Sequence, residues 1–280
     1  MNKKAILVTG CSSGIGLYCA HALQQDGYRV VASARREADT EQLRQAGLNA
    51  VTLDLNDSQS ITQGLQQCLE LTAGRLDALF NNAGYGQPGA VEDLKRDVIR
   101  AQFEGNVFGP LELTNRVIPI MRKQKFGRII QNSSVLGFIA LPFRGAYNAS
   151  KFALEGLSDT LRLELQDSGI SVSLIEPGPI ISRFRENAFA MYRKNIDREN
   201  SAFAQKYAAI EKRLQNSGHT AFTLPESAVY KKLRHALESP RPKPRYYVTF
   251  PTYLFAYLKR VLSHRAMDRL LLAISRGEYK

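Results

Sequence analysis

Residues 5–16 read Ala5-Ile6-Leu7-Val8-Thr9-Gly10-Cys11-Ser12-Ser13-Gly14-Ile15-Gly16. Four apolar residues in unbroken succession suit a strand buried on both faces. Gly10, Gly14 and Gly16 follow directly, and a helical period opens behind them. Glycines at such a junction permit a tight turn, close approach of the backbone to a phosphate, and tight helix–strand packing. A purely structural glycine turn would use the same residues. The GxxxGxG spacing also differs from the GxGxxG form of the dinucleotide turn, although its place after a first strand is the same.

Working outward from a first strand at 5–10, further candidates lie at 29–34, 50–55, 76–82, 127–133, 171–176 and 245–250. Helical periods at 14–26, 57–72, 97–122 and 147–167 fall between the first six. Apolar strands alternating with amphipathic helices predict an α/β fold, a Rossmann-like doubly wound parallel sheet of about seven strands with helices on both faces. Such a sheet binds ligands beyond the carboxyl ends of its strands. Strands one, two, four, five and six end in TGCSSGIG, ARR, NNAG, SS and EPGPIIS, so these clusters share one face. Residues 179–224 carry charge and scattered aromatics without strand signals, and Pro225-Glu226-Ser227 opens another helix. Pro240, Pro242 and Pro244 stiffen the approach to the last strand. One domain over 1–280 is expected, with a helical flap at about 179–224 and a helical tail at about 251–280.

The chain has 280 residues, 44% hydrophobic and 23% charged, which is ample for a core. Cys11, Cys19 and Cys68 lie far apart and offer neither a disulfide framework nor a CxxC pair, so a reducing compartment is expected. His21, His219, His235 and His264 lack ligand spacing, and no metal is expected. The apolar start is too short for a signal-peptide core, and no run of about 18 apolar residues occurs, so a cytoplasmic location is expected. The net charge is +12, and residues 241–280 alone hold nine Lys/Arg against two Asp/Glu. No nucleic-acid motif accompanies the charge, so no nucleic-acid partner is expected.

Tyr147 and Lys151 stand four apart in YNASK, on one helical face. A free phenol titrates near about 10 and is a poor acid–base group at neutral pH. An ammonium at about 4–6 Å supplies roughly 3–4 kcal/mol, enough to lower that value by about two to three units. Ser134 ends the fifth strand thirteen residues earlier, where its hydroxyl would polarise the same oxygen. The second strand ends Ala34-Arg35-Arg36, where an NAD enzyme would place an acid for the ribose hydroxyl. Guanidiniums suit a 2′-phosphate instead, with Ser12 and Ser13 adding donors. Exposed arginines at a strand end are the plainer alternative, and Glu37 stands close by.

Taken in order, these motifs resemble the short-chain dehydrogenase/reductase family over roughly residues 4–184. Thr9–Gly16 is similar to its TGxxxGIG turn, which implies cofactor contacts from Gly10, Ser12, Ser13, Gly14, Ile15 and Gly16. The resemblance further implies that Arg35 meets the 2′-phosphate of NADP(H) and that Asp54 meets the adenine. It carries the NNAG signature onto Asn81, Asn82, Ala83 and Gly84. Asn106, Ser134, Tyr147 and Lys151 match the family's catalytic four, with Asn106 implied to hold a water that links the lysine to solvent. Pro177 and Gly178 match the turn beneath the nicotinamide, with Ile180 and Ser182 at the carboxamide; the family usually has threonine where Ser182 stands. A narrower likeness, in TGCSSGIG and LPFRGAYNASKFALEGLSDTLRLEL, is to members acting on steroid, retinoid and other lipophilic carbonyls.

The expected activity is therefore NADPH-dependent reduction of an aldehyde or ketone, with a non-catalytic NADP-sensing regulator as the alternative. The resemblance implies a homodimer or tetramer through the helices near 97–122 and 147–167. Phe184, Phe189, Met191, Tyr192 and Phe203 are expected to line an apolar pocket or to pack on the domain. Tyr253, Leu254, Tyr257, Leu258, Val261 and Leu262 recur at helical spacing among Lys259, Arg260, Arg265, Arg269 and Arg276. That pattern suits either peripheral contact with an anionic membrane or packing on the core or a second subunit.

Overall fold

Alternate residues of the first apolar run feed opposite faces of a sheet, and both faces are covered. Ile6 and Val8 pack with Cys19, Leu23 and Leu233 on one side, while Leu7 packs with Ile61, Leu113 and Val117 on the other. Each such side chain contributes about 1.5–3 kcal/mol on burial, which is why the run shows no polar alternation.

A computed structural model describes residues 3–215 and 221–278. Its strands are β1 (Ala5–Val8), β2 (Arg29–Ala34), β3 (Asn49–Thr52), β4 (Ala78–Asn81), β5 (Gly127–Asn132), β6 (Ile170–Glu176) and β7 (Arg245–Tyr247). They form one seven-stranded sheet, all parallel, in the order β3-β2-β1-β4-β5-β6-β7. The helices are α1 (Gly14–Gln25), α2 (Glu37–Gln45), α3 (Ser58–Leu71), α4 (Arg96–Phe103), α5 (Gly109–Gln124), α6 (Gly145–Glu164), α7 (Phe184–Asn195), α8 (Ala204–Gln215), α9 (Ser227–Glu238), α10 (Phe250–Val261) and α11 (His264–Glu278). The doubly wound parallel fold expected from the sequence is the one observed. Strand order reverses between β1 and β4, and the crevice for a ligand opens there.

Several expected bounds shift in detail, the third strand among them, which ends at Thr52 rather than residue 55. The first strand stops at Val8 rather than residue 10, because Gly10 turns to φ +71. The last stops at Tyr247 rather than residue 250: Thr249 caps α10, and Pro251 fits its first turn. The single helix expected at 97–122 is two, α4 and α5, joined by a π-helical turn over Glu104–Phe108.

All three cysteines are free and buried, and burial pushes their thiols up, which leaves them unreactive. His219 and the last two residues of the expected tail lie outside the described residues. Among the described residues no helix is long and apolar enough to cross a membrane, and no metal-holding group of His, Cys, Asp or Glu occurs.

The expected flap contains α7 and α8, which close on a small core of their own. Tyr192, Tyr207 and Ile210 are buried with Phe143, Phe189 and Phe203 around them. The tail divides its apolar residues. Phe255 and Leu258 of α10 and Leu271 of α11 pack on Leu136, Ile139 and Phe138, while Tyr253, Leu254, Tyr257 and Val261 face outward.

Candidate active site

The glycine turn is locked to the end of β4. Thr9 Oγ1 accepts from the amides of Asn82 and Ala83, each at 3.0 Å, and Asn82 Nδ2 donates to Thr9 O at 2.9 Å. Gly10 lies so close to Ala83 that a Cβ there would stand 2.7 Å from its Cα. A Cβ on Gly16 would stand 2.3 Å from Gly10 O. The first-turn amides of a helix lack intrahelical partners, and Ser13 caps α1 without a side-chain hydrogen bond. Ser12, Ser13 and Ile15 lie along this turn, and Gly14 faces Ser182 from the loop after β6.

Arg35 and Arg36 end β2 very differently. Arg36 makes a two-pronged pair with Asp39, at 2.7 and 2.8 Å. Glu37 is held by Arg44 at 2.9 Å and by Thr52. Arg35 is exposed and makes no hydrogen bond or ion pair with the described residues. Asp54 accepts from the backbone and side chain of Asn56 within its own loop, and among the described residues no hydrogen bond or ion pair joins its carboxylate to the rest of the site.

The remaining residues converge on α6. Lys151 is buried and its Nζ donates to Asn132 O at 2.7 Å. Asn132 Nδ2 in turn donates to Asn82 Oδ1 at 2.9 Å, so the lysine and the glycine turn share one chain of contacts. Lys151 Nζ stands 5.7 Å from the centre of the Tyr147 ring. Asn106 sits in the π-helical turn, where its Oδ1 accepts from Tyr85 N and its Nδ2 donates to Tyr85 O and to Ser150 Oγ. Such turns leave backbone groups unpaired and recur at functional sites. Gly84 lies between Asn106 and Lys151. Ser134 follows β5, with its Oγ accepting from Leu136 N at 3.1 Å. The next residue ties to the last loop, Val135 N donating to Pro177 O at 2.8 Å. Gly178 packs on Thr249, and Ile180 forms a bridge to Leu224.

Burial sets the electrostatics. The Tyr147 phenol is pushed up to about 12 by burial, with the Ser134 hydroxyl pulling against it. The Lys151 amine is pushed down to about 8 by burial, with Glu155 pulling it back. The lowering of Tyr147 expected from its lysine neighbour is therefore not what the resting site shows. In a buried pocket the cost of a bare phenolate exceeds the help of a cation that itself lies buried.

Residues 4–193 match the short chain dehydrogenase family. The chain belongs to that family. An uncharacterized oxidoreductase, YbbO, of Escherichia coli strain K12 is 43% identical over 270 residues, spanning 96% of this chain and 94% of its own. The 17-beta-hydroxysteroid dehydrogenase type 1 of Homo sapiens is 33% identical over 261 residues, spanning 89% and 78%. A short chain dehydrogenase/reductase from Burkholderia phymatum, solved in complex with NAD, superposes with a TM-score of 0.77 at 24% identity, covering 96% and 95%; this likeness is one of fold. This short-chain dehydrogenase is thus an oxidoreductase by family.

Of the five aromatic and sulfur residues expected either to line a pocket or to pack on the domain, only Phe184 stands against Tyr147, with ring centres 5.3 Å apart. Phe189, Tyr192 and Phe203 pack within the α7–α8 core, and Met191 is half-buried in the same helix. Sequence reasoning passed over Thr9 and Asn132. Thr9 was legible in principle, as the first letter of the glycine motif. Asn132 holds Lys151 through its backbone carbonyl, which leaves no mark on side-chain identity.

Proposed function

We propose that this oxidoreductase reduces an aldehyde or ketone to an alcohol, reversibly, with NADPH and on a lipophilic substrate. The observation that carries the reading is the gathering of Tyr147, Lys151 and Ser134 on the same face as a glycine turn too tightly closed for a Cβ at Gly10 or Gly16. That turn fits a dinucleotide: Gly10 and Gly16 let it close tightly on Ala83 and on itself, and the first-turn amides of α1 have no side-chain cap. Gly10, Ser12, Ser13, Gly14, Ile15 and Gly16 would hold the pyrophosphate. Asp54 would hold the adenine, Asn82, Ala83 and Gly84 would border the turn, and Tyr147 and Lys151 would hold the nicotinamide ribose. Pro177, Gly178, Ile180 and Ser182 would hold the carboxamide.

The chemistry a bound NADPH supplies is a hydride for the carbonyl carbon. Tyr147 Oη gives its proton to the carbonyl oxygen, so that C=O becomes CH–OH, and Ser134 positions that oxygen. The phenolate left behind is stabilised by the Lys151 ammonium. At the 5.7 Å from Nζ to the ring centre, one charge contributes roughly 3 kcal/mol at an effective dielectric constant of about 20. Asn106 completes the relay that returns a proton from solvent. A panel of aldehydes and ketones, read by loss of NADPH absorbance, tests the reading; a chain that binds NADPH and consumes none of them overturns it.

Preference for NADP rests on Arg35, the guanidinium at the end of β2 that no carboxylate holds. Arg35→Ala is expected to weaken NADPH binding by about 1.5–3 kcal/mol, the scale of a charged hydrogen bond, and to leave NADH binding nearly unchanged. Fluorescence titration with both cofactors checks it; equal loss for both makes Arg35 structural. A lipophilic substrate is supported by Phe184 against Tyr147, by the apolar cluster of Leu136 and Ile139 on which Tyr147, Val135, Phe138 and Leu141 all pack, and by the human relative, which by its name acts on a hydroxysteroid. Residues 179–224 then serve as the substrate flap. Outward apolar residues on the α5 and α6 side, Phe108, Leu157 and Leu163, support a homo-oligomer.

Peripheral membrane contact belongs to the same reading. Tyr257 and Val261 are 65% and 56% exposed on α10, and Arg260, Arg265, Arg269 and Arg276 form no ion pair with the described residues. An exposed apolar stripe with cationic flanks suits an anionic lipid surface. The protein is expected to co-sediment with phosphatidylglycerol vesicles, to be released by salt, and to lose binding at least about tenfold in a Leu254→Ser, Tyr257→Ser variant. A change of oligomeric state in that variant, without vesicle binding by the parent, makes the stripe a subunit contact instead.

A further inference from the structure

Glu155 follows Lys151 by four residues on α6, which places both on one face of the helix. Its side chain is 8% exposed, and Arg245 of β7 reaches across to it. The same Arg245 Nη1 donates to Glu176 Oε1 at 2.5 Å, and its Nη2 donates to Asp159 Oδ2 at 2.5 Å. Glu176 is the wholly buried last residue of β6, and its Oε2 has no hydrogen-bond partner among the described residues. Asp159 shares its other oxygen with Arg162 at 2.9 Å. Tyr247 of β7 also faces this group. One guanidinium therefore meets three carboxylates, and it cannot balance them all. Burial pushes both Glu155 and Glu176 up, so the two compete for the one nitrogen that ionises them. Buried ion sets contribute little net stability, because desolvation offsets their attraction. The place of Glu155 one helical turn from Lys151 is the more telling fact.

We propose that Glu155 is a positioning residue for the reaction, holding Lys151 in its ammonium form from one helical turn away; this rests on the reading of Tyr147 and Lys151 as the reacting pair. The only hydrogen-bond acceptor that Lys151 has among the described residues is a neutral carbonyl, that of Asn132. Burial alone drives a lysine toward its neutral amine, which can stabilise no phenolate. Glu155 supplies the opposing charge, and Arg245 favours its carboxylate form against the burial that pushes it up. The clamp also ties α6 to β7, the strand that leads into α10.

The sign of the test follows. A carboxylate favours the ammonium, so its removal lets Lys151 lose its proton at lower pH. In ligand-free protein carrying ε-13C lysine, with the Lys151 signal assigned by its loss in Lys151→Arg, the titration midpoint is expected to fall by about one pH unit in Glu155→Gln. Glu155→Asp is expected to restore most of it. The alkaline limb of kcat against pH is expected to move with the amine in the same variants. A Glu155→Gln midpoint equal to that of the parent overturns the inference, as does an amine midpoint that moves while the kcat limb stays. Should Glu155→Gln fail to fold, Glu155→Met, which leaves Arg245 paired with Glu176 and Asp159, carries the same expectation. The titration is read without cofactor or substrate, so its outcome stands apart from whether the carbonyl panel shows turnover.

Discussion

Tyr147→Phe is expected to lower carbonyl turnover at least about 100-fold while NADPH binding stays within about threefold of the parent. The substitution removes one oxygen and leaves the ring in place against Phe184 and beside Lys151. Burial holds the phenol up at about 12, so the proton to be given is present throughout the neutral range. What the site needs is stabilisation of the phenolate once that proton has left, and Lys151 supplies it. The alkaline limit of the reaction is therefore expected from Lys151, whose amine lies down near about 8, and not from Tyr147. Steady-state kinetics with a fluorescence titration separate the two effects. A variant that keeps near-normal turnover removes Tyr147 from the proposed chemistry.

Most of the fold was legible because the strands are buried on both faces and so carry apolar runs, as in Ala5–Val8 and Ala78–Phe80. Strand ends were less so. Val248 and Thr249 have strand-like side chains, yet Pro251 lacks the amide a ladder needs and fits a first helical turn, so α10 begins where a strand was expected. The π-helical turn at Asn106 was invisible, since one extra residue in a helical period barely disturbs an apolar pattern. In the site, the glycines and the Tyr147–Lys151 spacing announce themselves by residue type. The separation of Arg35 from Arg36 does not: it depends on Asp39 standing one turn into α2 and taking Arg36 in a two-pronged pair. The flap aromatics were legible as apolar but not by direction. Tyr207, on the next helix, draws Tyr192 and Phe143 into a separate core and leaves Phe184 to face Tyr147.

Gly16→Ala is expected to weaken NADPH binding at least about 100-fold and to cost about 1–3 kcal/mol of stability, the range for forcing a methyl into filled space. The added Cβ would meet Gly10 O at 2.3 Å and Asn82 Nδ2 at 2.5 Å, neither of which has room to withdraw. Gly10 is fixed by its approach to Ala83, and Asn82 is fixed by Thr9 on one side and Asn132 on the other. Displacing Asn82 therefore disturbs Asn132, whose carbonyl holds Lys151, so the damage reaches from the phosphate turn to the reacting groups. The contrast is Gly156, inside α6 and with nothing within 4 Å of a built Cβ. Gly156→Ala is expected to stabilise the protein by about 0.5–1 kcal/mol, through helix propensity alone, with cofactor binding unchanged. Thermal midpoints and NADPH titrations of the two variants read the difference directly. If Gly16→Ala bound NADPH as tightly as Gly156→Ala, the turn at residues 10–16 would be a packing feature, and the cofactor would have to sit elsewhere along the sheet.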